Sequence, residues 1–184
     1  ISVGKLLYYC LNHHPEKAAL FQSHFRPYFD KSLAIINSPT QTHDYETYEG
    51  AFTVLYHTVM LFRREAMSFL NHDLLKRVIN FVEDTPDDVK EPKSEQQSED
   101  DMESDSPQAR SRLPYTYMIC SGIRFIGEAL RYATDSIVLT PDFKEYVSTF
   151  FTYRLISENE DVRHQTFLAA KNYAIGCATY LHDY

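Results

Sequence analysis

The sequence predicts an all-α protein made of antiparallel helix pairs, and three observations carry that prediction. Apolar residues recur at spacings of three and four through most of the chain, as one face of a helix requires. Only 5 Gly occur in 184 residues, too few for a fold built on many tight turns at positive φ. Short polar runs such as NSPTQT and SENE separate the periodic segments, and their residues favour turns.

The elements follow in order. Ser2 to Leu11 reads as the end of a helix, with Val3, Leu6, Leu7 and Cys10 on one stripe. Pro15 opens a second helix in its first turn, carrying Ala18, Ala19, Leu20, Phe21 and Phe25. That helix is expected to stop before Pro27, because the residue ahead of a proline is pushed out of the α region. Pro27 then begins a further helix to about Ile36. From about Asp44 to Arg64 runs a long helix with Tyr48, Phe52, Leu55, Val59 and Phe62 in register, widened by Tyr45, Tyr56 and Met60. A helix apolar over more than one face packs on more than one side, so this one is expected to be central. Asn71 caps a helix from Asp73 to about Val82, with Leu74, Leu75, Val78, Ile79 and Val82 inward.

Glu83 to Pro107 then holds eleven Asp or Glu against two Lys, a net of -9, which leaves the rest of the chain near +1. With three prolines and almost no apolar residue, this stretch cannot bury enough surface to offset its ordering entropy, and the expectation is a disordered acidic loop. The organisation is one helical domain: helix pairs over residues 1–83, an acidic insertion over 84–112, and further pairs over 113–184. Long surface insertions add little closure entropy, so the loop interrupts the domain without dividing it.

After the loop, Pro114 to about Ala133 is helical, with Tyr117, Met118, Cys120, Ile123, Ile126, Ala129 and Leu130 inward. Thr140 with Pro141 marks a helix start, and Pro141 to Ile156 buries Phe143, Tyr146, Val147, Phe150, Phe151 and Leu155. The turn Ser157 to Glu160 leads into a helix from Asp161 to about Leu181. One face carries Val162, Thr166, Ala169, Ala170, Tyr173, Cys177 and Tyr180; the other carries Arg163, His164, Lys171 and Asn172. Ala169, Ala170, Ala174, Gly176 and Ala178 permit close helix approach.

The pair Thr140 to Leu181 resembles a unit of the HEAT and armadillo group of helical repeats. In that family the second helix opens with an acidic residue, then Val-Arg, then small residues, and Asn159, Asp161, Val162, Arg163 and Ala169 occupy those places. The resemblance covers about 45 residues and departs at Thr166, where a small alanine is usual. It implies that the pairs stack as an ARM/HEAT-like α-solenoid fragment, neighbouring pairs burying what one pair cannot. It also implies Arg–acid ladders between neighbouring units.

Chemical motifs are sparse. His13 and His14 beside Cys10 form the best metal candidate among eight histidines, yet no paired ligand spacing accompanies them, and a helix C-terminal cap explains them more simply. Cys120 and Cys177 fall on buried stripes as small apolar residues, and no G-x-S-x-G, P-loop or G-x-G-x-x-G occurs; Gly122 and Gly127 in SGIRFIGEAL are helix-internal. The expectation is therefore no enzyme, with no catalytic residue, cofactor or metal. Three cysteines without a framework point to a reducing compartment, cytoplasmic or nuclear. No apolar run is long enough to span a membrane, and the start lacks a signal-peptide pattern.

The expected function is a non-catalytic protein–protein interaction scaffold, a fragment of a larger helical-repeat protein, since the chain opens at Ile1 and stops at Tyr184 straight after an apolar helix. The alternative is a helical accessory region of a large multidomain enzyme such as a ubiquitin hydrolase. Partners would be other proteins or peptides and the neighbouring repeats of the parent chain, with no membrane; nucleic acid is disfavoured by a folded part near neutrality. Arg63, Arg64, Lys76, Arg77, Arg124 and Arg131 are the candidate interaction surface, and an acidic peptide suits them as well as nucleic acid. Ser98, followed by acids, and Ser106 and Thr85, each followed by proline, mark candidate phosphorylation sites of a phosphoprotein.

Overall fold

The computed structural model describes residues 18–38, 44–63, 66, 70, 72–85, 114–133 and 140–182. Six α-helices are described, α1 Ala18–Asn37, α2 Tyr45–Phe62, α3 His72–Asp84, α4 Pro114–Tyr132, α5 Pro141–Leu155 and α6 Glu160–His182. No strand occurs among the described residues. Ser2 to Pro15, with Cys10, His13 and His14, and the cap at Asn71 lie outside them, as does the acidic stretch from residue 86 onward.

Adjacent helices in sequence pack as pairs, α1 with α2, α3 with α4 and α5 with α6. The second helices of these pairs also lie against one another, α4 between α2 and α6, and α1 touches α3 on the other side. The central helix is thus α4, where the sequence pointed to α2. Every residue from Met118 to Ile123 and from Phe125 to Leu130 is buried, broken only by exposed Arg124. A helix enclosed by α2, α3 and α6 keeps only a narrow solvent edge, at Tyr117 and Arg124.

The close approach of α4 to α6 depends on small residues at the crossing. A Cβ built on Gly127 would fall 2.5 Å from the Cα of Ala169, and one on Gly176 would fall 2.7 Å from the carbonyl oxygen of Arg131. Backbone meets backbone at both points, which only glycine allows. Ala174 and Ala178, by contrast, face outward.

Two local expectations are corrected. Pro27 sits inside α1 and does not end it. The proline is exposed, while Phe29 and Ser32 are buried, so its ring lies away from the packed face of the helix. The helix before the acidic stretch continues through Asp84, and Thr85 is buried, so residues 84 and 85 belong to the helical body and not to a loop.

Elsewhere the apolar register holds. In α3, Leu74, Leu75, Val78, Ile79 and Val82 are all buried, while Lys76, Arg77 and Asn80 face out. Asp44 caps α2, its Oδ1 accepting from the Thr47 N–H at 2.7 Å, and Glu46 adds negative charge to the first turn, where the helix dipole favours it. At the α5–α6 turn, Asn159 Oδ1 accepts from the N–H groups of Asp161 at 2.9 Å and Val162 at 3.3 Å, and its amide donates to Thr116 at 3.1 Å, tying the turn to α4. Arg163 donates to the carbonyls of Ser157 and Glu158, each at 2.7 Å, so its bonds close its own turn.

Two inward assignments fail. Tyr117 and Leu155 are exposed, and Arg154 takes the inward position at the end of α5 with 1% of its surface accessible. Its Nη2 donates to the carbonyls of Val82 and of Thr85, the latter at 3.2 Å. Those carbonyls lie at the end of α3, where intrahelical donors run out; Val82 also accepts from the Thr85 N–H at 3.3 Å, and the guanidinium adds a charged donor to both carbonyls.

Candidate interaction surface

The outer face of α6 is apolar as well as its inner one. His164, Phe167, Leu168, Lys171, Ala174, Ile175 and Ala178 are exposed at spacings of three and four, which places them on one stripe. Phe167 has 60% of its surface accessible, and Leu168 and Ile175 are each 38% accessible. Large apolar side chains grouped on a solvent face are the informative exception to ordinary surface composition.

Beside this stripe lies a cleft of ≈ 340 Å³. It is lined by Tyr56 of α2, Arg124 of α4, and Gln165, Leu168, Ala169, Lys171 and Asn172 of α6. Arg124 Nε donates to Gln165 Oε1 at 2.8 Å, which fixes the guanidinium across the α4–α6 seam. Leu168 and Lys171 belong both to the cleft and to the exposed stripe.

A charged cluster adjoins the cleft through Asn172, whose amide donates to Glu128 Oε2 at 3.0 Å. Glu128 is buried, its other oxygen 3.8 Å from Arg131 Nη1. Burial pushes its carboxyl above the usual 4.5, opposed by the charges of Arg131 and Arg63 and by the Tyr132 hydroxyl. Arg131 also stands over the Tyr132 ring, 5.5 Å from its centroid.

The six cations expected to form one surface therefore divide. Arg63, at the end of α2 with φ 47°, and Arg131 both act on Glu128, and Arg124 lines the cleft nearby. Lys76 and Arg77 are on α3; Arg77 donates to Asn37 of α1 at 2.8 Å, and the Lys76 carbonyl accepts from Tyr146 of α5 at 3.4 Å. Arg64 lies outside the described residues. Lys171, Gln165 and Asn172 complete the cleft without having been singled out, although Lys171 and Asn172 fall on the polar side of the predicted helix. The apolar outer stripe is hidden in the sequence because Phe167, Leu168 and Ile175 interleave with the polar residues that define that side.

Of the candidate phosphorylation sites, Ser98 and Ser106 lie outside the described residues. Thr85 is buried, and its hydroxyl donates to the Phe81 carbonyl at 2.8 Å, so a kinase reaches it only if the end of α3 opens. Cys120 is buried, and Cys177 lies beside the Tyr173 phenol, whose pKa burial and that thiol push up to about 12. Among the described residues no group of three or more His, Cys, Asp or Glu is placed to hold a metal ion, and no helix is long and apolar enough to cross a membrane. No protein-family model, curated protein or solved structure matches the chain.

Proposed function

We propose that this chain is part of an α-solenoid that serves as a non-catalytic scaffold for protein–protein interaction. The observation that carries the reading is the exposed stripe of Phe167, Leu168 and Ile175 beside a cleft bearing Arg124 and Lys171. Aromatic and aliphatic side chains next to an arginine are the composition from which the energetic centres of protein interfaces are built.

The solenoid part rests on the order of contacts. Three successive pairs, with α2, α4 and α6 side by side, match the arrangement in which each unit touches its neighbours and leaves one face of the last helix open. The stripe on α6 is then a surface for a further unit or for a partner. The isolated cysteines favour a reducing compartment, cytosol or nucleus.

The test is capture of proteins from lysate by the chain and by a Phe167→Ser, Ile175→Ser variant whose thermal melt matches the parent. The reading requires specific partners that the variant loses. An identical captured set from both would remove α6 as the binding face.

A further inference from the structure

We propose that the cleft between α4 and α6 receives an acidic peptide segment of another chain, which sets a carboxylate against Arg124 and Lys171 and an apolar side chain on Leu168 and Phe167. This rests on the interaction reading above and adds the chemistry of the partner.

Charge is the first ground. Arg124 and Lys171 reach the cleft from opposite helices, and no described residue lining it is acidic. Glu128, which adjoins the cleft through Asn172, is already engaged by Arg131 and by the Asn172 amide. Among the described residues no carboxylate pairs with Arg124 or Lys171, so the cleft presents two cations and calls for an anion.

Preorganisation is the second. The Gln165 carbonyl holds Arg124 through Nε, which leaves the terminal nitrogens for the planar, two-point contact that a carboxylate accepts. A guanidinium already fixed loses little further freedom when a ligand arrives.

The apolar surroundings decide the class of partner. Leu168 forms part of the cleft wall, Phe167 stands next to it, and Ile175 follows Lys171 by one turn on the same stripe. A phosphate backbone would be matched by cations repeated along a stripe. Two cations set among leucine, phenylalanine and isoleucine match a peptide that alternates acidic and apolar side chains.

Fluorescence anisotropy tests this with the intact chain and a labelled synthetic peptide of glutamates and leucines. The expected result is saturable binding that weakens at least about tenfold in an Arg124→Met, Lys171→Met variant, is retained in Lys171→Arg, and falls as salt rises. The same peptide with glutamine for glutamate fails to bind. Carbodiimide coupling, read by mass spectrometry, joins the Lys171 amine to a peptide glutamate.

Equal binding by the double methionine variant overturns the proposal, as does tighter binding of a poly-uridine oligonucleotide. So does a Lys171 amide formed only with acidic residues of the same chain. If partner capture still depends on Phe167 and Ile175 while Arg124 and Lys171 prove irrelevant, the interaction reading stands and this one falls.

Discussion

Arg154, near the end of α5, donates to the carbonyls of Val82 and Thr85 at the end of α3, 72 and 69 residues earlier in the chain. The contact pins the last turn of α3, which ends at Asp84, to the last turn of α5. A buried guanidinium bonded to neutral carbonyls contributes through charge-assisted hydrogen bonds of about 1.5–3 kcal/mol each. Arg154→Met is therefore expected to cost roughly 2–4 kcal/mol, since it loses the charged donor to both carbonyls and leaves Val82 with the Thr85 N–H alone. Urea melts should show a lower midpoint with an unchanged slope.

Glycine substitutions separate close packing from helix propensity. Gly127→Ala drives a methyl into the Ala169 backbone and is expected to destabilise by about 1–3 kcal/mol. Gly50, in α2, has nothing within 4 Å of its would-be Cβ, so Gly50→Ala should stabilise by about 0.5–1 kcal/mol. Thermal melts of the two variants should move in opposite directions.

Two aromatic truncations, alike by chemistry, should differ by burial. Phe150 is fully enclosed, and Phe150→Ala is expected to cost roughly 3–5 kcal/mol. Tyr173 is only partly buried against Phe151 and Cys177, so Tyr173→Ala should cost clearly less in the same denaturant melt.

Glu128 gives stability a pH dependence with a definite sign. Arg63 at the end of α2, Asn172 on α6, and Arg131 and Tyr132 on its own helix face its carboxyl; burial outweighs them and raises its pKa above 4.5. A carboxyl with a raised folded pKa takes up a proton on folding. Its contribution is present in full below the unfolded pKa and is lost as pH rises through the folded one. Glu128→Gln should flatten that decline, standing level with or above the parent at neutral pH and gaining nothing in acid. Urea midpoints across the acid range check this, and a variant that loses more stability at neutral pH than in acid would contradict it.

The sequence made the helices legible where one face alone is buried. The register of α3 needs only the spacing of Leu74, Leu75, Val78, Ile79 and Val82, and the structure buries all five. It was less informative where two neighbours compete for one position. At the end of α5, hydrophobicity chooses Leu155 for the interior, but the carbonyls of α3 need a donor there and Arg154 wins. A proline alone reads as a break, whereas Pro27 lies on the exposed side of α1 and the helix continues through it.

For the candidate site, Arg124 and Arg131 were within reach of composition, and the cleft was not. Arg124 and Gln165 are 41 residues apart and meet only through the α4–α6 crossing at Gly127 and Ala169. The inner and outer faces of α6 are both apolar, so periodicity cannot tell which one is covered.

Amide hydrogen exchange of the chain, with and without a partner retained in the capture experiment, tests the central claim most directly. The account predicts new protection on α6 around Phe167 to Ile175 and on α4 around Arg124. Protection confined to α1, α3 or α5, around Lys76 and Arg77, would contradict it.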